Sequence, residues 1–223
     1  MIFSCAFQLS KTMSLADVSI VKVARELGVT PALIHYYVGG RDALTSAVMN
    51  AFYKEMLEDW PLPVGDWKID VEAVADTVYR AFVRYGGVAA YVMSHNRFRM
   101  FQDVRQGETE YGVLVFEKFV SAVRQAGFDA PRTAMCSHLL MEFIIANAHT
   151  TVRHRWPGEH SDFLNKKLAG LNPEAFPATR FVWKSFTQLN AAAVFSMGLR
   201  VFLNALELRS KDLPEVAVTA PVG

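Results

Sequence analysis

The chain has 223 residues, of which 52% are hydrophobic and 20% are charged, and its formal net charge is +1. This composition allows a sizeable buried core and argues against a surface that binds nucleic acid along the whole chain, so any DNA contact must be local. Two cysteines, Cys5 and Cys136, lie in separate apolar stretches and are expected to be buried free thiols of a cytoplasmic protein.

The chain opens on an apolar stretch, MIFSCAFQL, that is interpreted as a helix. It lacks the positively charged leading region and the small-residue cleavage site of a signal peptide. The longest apolar run elsewhere, residues 139–148, contains Glu142 and is too short to cross a bilayer. We therefore expect no membrane role.

Residues 18–44 have the punctuation of two short helices joined by a tight turn. Ser19 is a good N-cap, and Gly28 stands where a helix end favours a left-handed residue. Thr30 supplies a second N-cap, and Pro31 fills the first helical position, where a missing N–H costs nothing. The apolar face of the first helix carries Ile20, Val23, Ala24 and Leu27. This pattern predicts a helix-turn-helix.

The second of these helices is predicted to present an aromatic surface. Its sequence can bury only Ile34 and Val38. The side chains expected to face solvent are Thr30, Ala32, Leu33, His35, Tyr36 and Tyr37. Residues 39–40, both glycine, end this helix. Arg41 then opens a longer one, and its guanidinium, beside free backbone N–H groups, could bind a DNA phosphate.

These residues resemble the DNA-binding domain of the TetR family of transcriptional regulators. The matching motif positions are Gly28, Val29, Thr30, Ile34, Tyr37, Val38, Gly40, Arg41 and Leu44, without a gap. The pattern of the family's first helix is matched by Ile2, Phe3, Cys5, Ala6 and Leu9. The sequence departs from the family's motif at three positions. His35 stands where the family usually has a phosphate-binding tyrosine, Arg41 where it usually has lysine, and Ser14 where it usually has glycine. The basic arm that often precedes the first helix either is absent or lies before the given start.

The resemblance implies a homodimeric repressor that binds a double-stranded DNA operator, an inverted repeat, and is released by a small-molecule effector. The residues implied in DNA binding are Ser19, Thr30, Pro31, Ala32, Leu33, His35, Tyr36, Tyr37 and Arg41. Among them, Arg41 is expected to hold a phosphate, whereas Leu33 and Tyr36 are expected to face base edges.

The charge of the first 45 residues is low for a DNA-binding domain. Four basic side chains stand against three acidic ones, which leaves a net charge of +1. Because phosphate neutralisation normally needs a basic surface, this balance motivates an alternative hypothesis. In that alternative the protein is a helical small-molecule-binding protein or enzyme that uses the helix-turn-helix only as scaffold.

The rest of the chain alternates helical periodicity with glycine and proline breaks, which predicts an all-α protein: an N-terminal three-helix helix-turn-helix domain followed by a larger C-terminal helical domain for ligand binding and dimerisation. The predicted helices are 69–85, 88–95, 108–125, 130–156, 161–168 and 191–209, with a loop elsewhere in 157–180. The expected domains are a helix-turn-helix domain at 1–45, a connecting helix at 46–60, an effector-binding and dimerisation domain at 61–212, and a disordered tail at 213–223.

The segment FSMGLRVFLNALE resembles the helix that closes the family's dimer interface. The resemblance implies that helices 130–156 and 191–209 pair with their copies in a four-helix bundle. The side chains expected to let these helices approach closely are Gly198, Phe202, Ala205 and Leu206.

The middle of the chain is the candidate effector pocket, because pockets combine aromatic and methionine side chains with a few polar groups. The apolar candidates are Tyr79, Phe82, Met93, Phe98, Phe101, Phe116 and Met141, and the polar candidates are His95, Glu142 and Asn147.

Metal and catalytic chemistry have little support in the sequence. One helical stripe carries His138, Glu142 and His149, but no Cys-x-x-Cys accompanies them. A buried hydrogen-bonded pair would also explain His138 and Glu142 without a metal. No Gly-x-Ser-x-Gly, Walker loop or dinucleotide fingerprint is present. We therefore expect no metal, no cofactor and no enzymatic activity.

Overall fold

The computed structural model describes residues 1–95 and 100–209, and the regular structure in these ranges is helical throughout, which confirms the predicted all-α class. The α-helices are α1 (Ile2–Leu9), α2 (Ile20–Leu27), α3 (Pro31–Val38), α4 (Arg41–Glu58), α5 (Trp67–Arg84), α6 (Gly86–Ser94), α7 (Tyr111–Arg124), α8 (Ala130–Val152), α9 (Ser161–Ala169), α10 (Pro177–Phe186) and α11 (Ala191–Arg209). We call residues 1–58, which hold α1 to α4, the head, and residues 67–209 the body. The predicted tail and Phe98 lie outside the described residues.

Capping residues fix the helix-turn-helix as the sequence predicts. The Ser19 hydroxyl accepts a hydrogen bond from the Lys22 N–H, and α2 ends at Gly28 with φ of 66°. The Thr30 hydroxyl accepts from the Leu33 N–H at the start of α3. The apolar faces of these helices meet in one core with α1 and α4. The angle between α2 and α3 is thus set by local capping together with burial.

Three features of the body differ from the sequence prediction. Gly86 and Gly87 begin α6, because the break after α5 falls at Tyr85, where φ is −110° and ψ is 62°. Helix α8 ends at Val152, before the predicted Trp156, and His154 adopts a positive φ of 52° shortly afterwards. Helix α10 lies within and beyond the predicted loop and starts at Pro177, a residue suited to the first helical turn.

The head and body meet where α6 begins. The Gly87 N–H donates to the carbonyl of Ser10, at 3.0 Å, and a Cβ at Gly87 would lie 1.7 Å from the carbonyl oxygen of Met13. Beside this contact, the Tyr85 ring stacks on Phe7 of α1, with centroids 4.5 Å apart. The end of α5 and the start of α6 are therefore packed directly against the end of α1.

Helices α8 and α11 pack closely within one chain. A Cβ at Gly198 would lie 2.6 Å from Cζ of Phe143, so this glycine admits the Phe143 ring. Leu206 is buried in the same intrachain core. Gly198 and Leu206 were expected to contact a second copy of the chain. They pack inside one chain instead, because they lie on the inward face of α11.

Both cysteines are free thiols; Cys136 is buried, and Cys5 is only partly so. Across residues 1–95 and 100–209, no single helix has the length and hydropathy to cross a membrane. Helices α10 and α11 reach that length and hydropathy only when taken together, and they are bent by 112° relative to each other.

Candidate functional site

The outer face of α3 is solvent-exposed and aromatic. Leu33 is 43% exposed, Tyr36 82% and Tyr37 59%, although side chains of this kind are usually buried. The two tyrosine rings meet edge to face with centroids 5.3 Å apart. Ala32 and His35 are exposed on the same short helix. This surface is available for a partner and is not used in the head's own core.

The remaining predicted DNA-binding residues lie at the starts of α2, α3 and α4. Thr30 and Pro31 are exposed at the start of α3, and Ser19 is partly buried at the start of α2. The guanidinium of Arg41 donates to the carbonyl of Ala16 while the side chain stays exposed. Sequence reasoning missed this bond, which ties the first turn of α4 to the short 3₁₀ helix before α2. Arginine carries five N–H donors, so one such bond leaves others for a phosphate.

The body adds a positive charge beside α3. The loop at residues 100–110 reaches the head, and the Arg105 guanidinium donates to the carbonyl of Tyr37 at 2.9 Å. The same guanidinium lies 5.7 Å from the centroid of the Phe3 ring. A cation suits the C-terminal end of a helix, where backbone carbonyls carry partial negative charge. No sequence motif marks Arg105, because the contact spans 68 positions.

A cavity of about 460 Å³ lies in the body and is bounded by α4, α5, α6, α7 and α8. This volume falls in the range of small-molecule sites. Five of the predicted ligand-binding residues line it, namely Phe82, His95, Phe116, Met141 and Glu142. The sequence analysis missed Tyr53 and Met56, which enter from α4, and Ser137 and His138 of α8.

Four other predicted residues do not line this cavity, which corrects the expectation for them. The Tyr79 hydroxyl bonds with Thr151, and its ring stacks on Phe195 of α11. The Asn147 amide donates to the carbonyl of Phe143. Met93 and Phe101 are exposed, and the Phe101 ring meets that of Phe116 edge to face, with ring centroids 5.4 Å apart. Helical phase explains the first two, because Tyr79 follows cavity-lining Val78 by one residue and Asn147 follows Ile145 by two.

The cavity has a buried apolar interior and a polar rim. Val78, Phe82 and Phe119 are at most 2% exposed, whereas His95, His138 and Glu142 are solvent-exposed. The Ser137 hydroxyl is an exception in the interior, because its oxygen is buried and has no hydrogen-bond partner. A buried hydroxyl without a partner is uncommon and calls for an explanation.

Burial shifts the pKa values of Tyr53, which lines the cavity, and of His149, which lies on α8 but does not line it. Desolvation raises the pKa of the Tyr53 phenol, which therefore stays protonated at neutral pH. Burial, followed by the charges of Arg153 and Arg155, lowers the pKa of His149. His138 and Glu142 share the cavity but His149 does not line it, and among the described residues no group of three histidine, cysteine or acidic side chains could hold a metal ion.

The cavity and the head share structural elements. Helix α4 begins at Arg41, shortly after α3 ends at Val38, and carries Tyr53 and Met56 into the cavity wall. The loop at residues 100–110 includes Met100, also in the wall, and leads to Arg105 at the end of α3. The Asn50 side chain of α4 clamps the far end of this loop, because it donates to the carbonyl of Thr109 and accepts from the N–H of Tyr111.

These features define an all-helical protein with a helix-turn-helix head and a body that encloses a small-molecule-sized cavity. Residues 61–209 match the family model described as tetracyclin repressor-like, C-terminal domain. The chain belongs to this family, as the resemblance of the head predicted.

Similar proteins agree with this assignment. The chain is 27% identical over 113 residues to the HTH-type transcriptional regulator BetI of Brucella anthropi, a match that spans 49% of this chain and 58% of that protein. It is 44% identical over 43 residues to BetI of Brucella canis, spanning 19% of this chain and 22% of that protein. The matched segments thus cover little more than half of these relatives at most.

Solved structures match over nearly the whole chain. Apo ActR from Streptomyces coelicolor has a TM-score of 0.73 at 22% identity, over 93% of this chain and 95% of that one. The same protein in complex with actinorhodin has a TM-score of 0.75 at 22% identity, over 95% and 97% of the two chains. At this identity the likeness establishes the shared fold.

Proposed function

We propose that the protein is a homodimeric transcriptional repressor that binds an inverted-repeat operator through α3 and is released by a small molecule in the body's cavity. The observation that carries the proposal is that α4 begins at Arg41, three residues after α3 ends at Val38, and continues into the cavity wall at Tyr53 and Met56. Family membership supports the regulator class, and ActR, which has this fold, has been seen in complex with a small molecule.

The DNA-binding surface in this proposal is the exposed face of α3 and its flanks. Leu33 and Tyr36 would meet base edges, because both side chains are exposed on the outer face of α3. Arg41 would hold a phosphate, and the exposed Arg105, bonded to the Tyr37 carbonyl at the C-terminal end of α3, would add a second positive charge. This second cation partly offsets the low charge of the first 45 residues.

An exposed apolar stripe supports dimerisation through α8 and α11. Met135 and Leu139 of α8 are 43% and 52% exposed, and Met197 and Val201 of α11 are each 60% exposed. Leu139 lies one turn from Phe143, which packs on Gly198 beside Met197, so the two exposed rows adjoin. A second copy that covers this stripe would hold two heads at the roughly 34–36 Å spacing of successive major grooves.

Release by a ligand requires that the ligand prefer a conformation that DNA does not. The loop at residues 100–110 supports such a link. A Cβ at Gly112 would lie 2.0 Å from the carbonyl oxygen of Met100, so the loop's start is packed tightly against α7 beside the cavity. A ligand that displaces Met100 or Phe116 would therefore move a loop that also holds α3 through Arg105.

The test is DNA binding by the purified full chain. Fluorescence anisotropy should detect tight binding to an inverted-repeat fragment from the region upstream of its own gene, with two chains per repeat and a steep loss of affinity with added salt. A chain that fails to bind any such fragment at low salt would contradict the proposal.

Substitutions on α3 and α4 should separate base reading from phosphate binding. We expect Tyr36→Ala to weaken operator binding by about 1–3 kcal/mol while leaving random-sequence DNA nearly unaffected. Arg41→Ala should weaken both DNAs by a similar factor, because a phosphate contact carries no sequence information. Anisotropy titrations with both DNAs measure the difference, and Arg124→Ala, an exposed arginine of α7, is the matched control. Equal losses for Tyr36→Ala on the two DNAs would contradict the division.

Arg105→Ala should weaken the coupling between body and head. We expect operator affinity to fall by about 0.5–2 kcal/mol, the range found for residues that link distant sites. Arg105→Lys keeps the charge but loses the planar donor geometry, so it separates general attraction for DNA from the bond to the Tyr37 carbonyl. Hydrogen exchange of the last turn of α3 should rise in both variants. Unchanged exchange in Arg105→Ala would argue against the loop as the link.

The scaffold alternative receives less support. Its motivation is the weak charge of the first 45 residues, and neither the family of the chain nor the regulators it resembles favour it. A compound that binds the cavity without any effect on DNA affinity would revive it.

A further inference from the structure

The chemistry of the cavity indicates what kind of molecule it takes. Given the proposed function, we infer that the effector is an aromatic organic cation, with its ring system in the apolar interior, a hydrogen-bonding group at Ser137 and its positive charge at Glu142. This assignment depends on three independent observations, namely the walls, the buried hydroxyl and the charge of the rim.

The walls favour a flat ring system. Phe82 and Phe119 are buried at the cavity surface, and Phe116 also lines the cavity and meets Phe101 edge to face. Aromatic side chains bind planar rings through offset and edge-to-face contacts, which add to the gain from removing apolar surface from water. The volume of about 460 Å³ has room for a molecule of three fused rings with a substituent.

The buried hydroxyl favours a polar atom on the ligand. Ser137 is 6% exposed, lines the cavity and has an Oγ atom without a hydrogen-bond partner. In a helix, serine commonly bonds to the carbonyl one turn earlier, which the Ser137 hydroxyl does not do here. A ligand carbonyl or hydroxyl at this point would satisfy a group that is otherwise left buried and unpaired.

The charge of the rim favours a cation over an anion. Among the described residues that line the cavity, Glu142 is the one acidic side chain, and none is a lysine or arginine. Within the same described part of the chain, Glu142 forms no ion pair. His95 and His138 complete the rim and can accept a hydrogen bond when neutral. An anionic ligand would meet the Glu142 carboxylate without a compensating lysine or arginine among the described lining residues, whereas a protonated amine would pair with it.

Matched probes test each part of this inference in the absence of DNA. The three probes are an aminomethyl-anthraquinone, the aminomethyl-anthracene that lacks its ring carbonyls, and the anthraquinone carboxylate, all substituted at the same ring position. Isothermal titration calorimetry of the full chain at neutral pH should give an affinity for the amine about tenfold or more above that for the carboxylate. Glu142→Gln should remove this preference, and Glu117→Gln, an exposed glutamate of α7 outside the cavity, should retain it.

Ser137→Ala supplies a second readout. It should lower the affinity of the aminomethyl-anthraquinone several-fold and leave that of the aminomethyl-anthracene unchanged, because only the former has a carbonyl for the hydroxyl to reach. The unliganded Ser137→Ala protein should melt at the same temperature as the wild type or higher, since the substitution removes an unpaired buried hydroxyl.

The inference is overturned if the carboxylate binds as tightly as the amine, if the preference survives Glu142→Gln, or if none of the three probes binds. None of these outcomes bears on operator binding, which is measured without the probes. A protein that binds its operator but prefers the carboxylate would keep the proposed function and lose this assignment of the ligand.

Discussion

Gly87→Ala is expected to lower the free energy of unfolding by about 3 kcal/mol or more, at the upper end of overpacking effects. The added Cβ would lie 1.7 Å from the Met13 carbonyl oxygen and 2.5 Å from that of Ser10, and both contacts are with backbone. Backbone cannot rotate away as a side chain can, so α6 must separate from the end of α1. The bond from the Gly87 N–H to Ser10 would lengthen or break as well.

Urea denaturation followed by circular dichroism measures the loss, and the melting temperature should fall by about 6–12 °C for a chain of this size. Gly170→Ala is the matched control. Gly170 has an ordinary φ of −82°, and a Cβ there would meet nothing closer than 3.7 Å. Its replacement should be neutral or slightly stabilising. Similar free energies of unfolding for the two variants would contradict a steric clash at Gly87.

Tyr85→Ala is expected to cost about 4 kcal/mol, in the range for removal of a large buried aromatic ring. The ring stacks on Phe7 of α1 and meets Phe52 of α4 edge to face at 5.8 Å, so its loss leaves a cavity between the head and the body. Tyr85→Phe should cost only about 1–2 kcal/mol, because it keeps the ring and removes the hydrogen bond that the hydroxyl donates to Glu55. Urea denaturation of both variants gives the comparison.

Tyr36→Ala is the control for loss of a tyrosine without loss of packing. Tyr36 is 82% exposed, so its removal should change stability by no more than about 0.5 kcal/mol. Tyr85→Ala with a similarly small effect would mean that the head and body do not depend on this ring.

The pH dependence of Tyr85→Phe provides a separate check. Burial, and then the hydrogen bond to Glu55, raise the pKa of Tyr85 above the usual value for tyrosine of about 10. As the pH rises past that value, the unfolded chain loses this proton before the folded chain does. The stability advantage of the wild type over Tyr85→Phe should therefore be complete below about pH 10 and shrink above it.

Local signals in the sequence predicted the head well. Ser19, Gly28 and Thr30 act on the backbone within a few residues of themselves, so their caps can be recognised without knowledge of the fold. The buried positions Ile34 and Val38 follow from helical spacing once α3 is located. The role of Arg41 was less accessible, because its bond to Ala16 joins residues 25 positions apart.

The body was harder to predict because its features depend on which way each helix is turned. Composition identified the group of aromatic and polar candidates, and five of them line the cavity. It could not tell that Tyr79 and Asn147 turn away from the cavity, or that α4 would contribute Tyr53 and Met56. Gly87 was interpreted as a helix break, since a sequence does not reveal that another backbone occupies the space of its missing side chain.

The contact between Arg105 and α3 has a consequence for exchanging heads among regulators. Arg105 bonds to the main-chain carbonyl of Tyr37, a group that every residue type provides, so a recognition helix with other side chains could be grafted without loss of this bond. Asn50 is different, since its own amide holds Thr109 and Tyr111. A chimeric sensor that joins this body to a foreign head should therefore keep α4 from Asn50 onward.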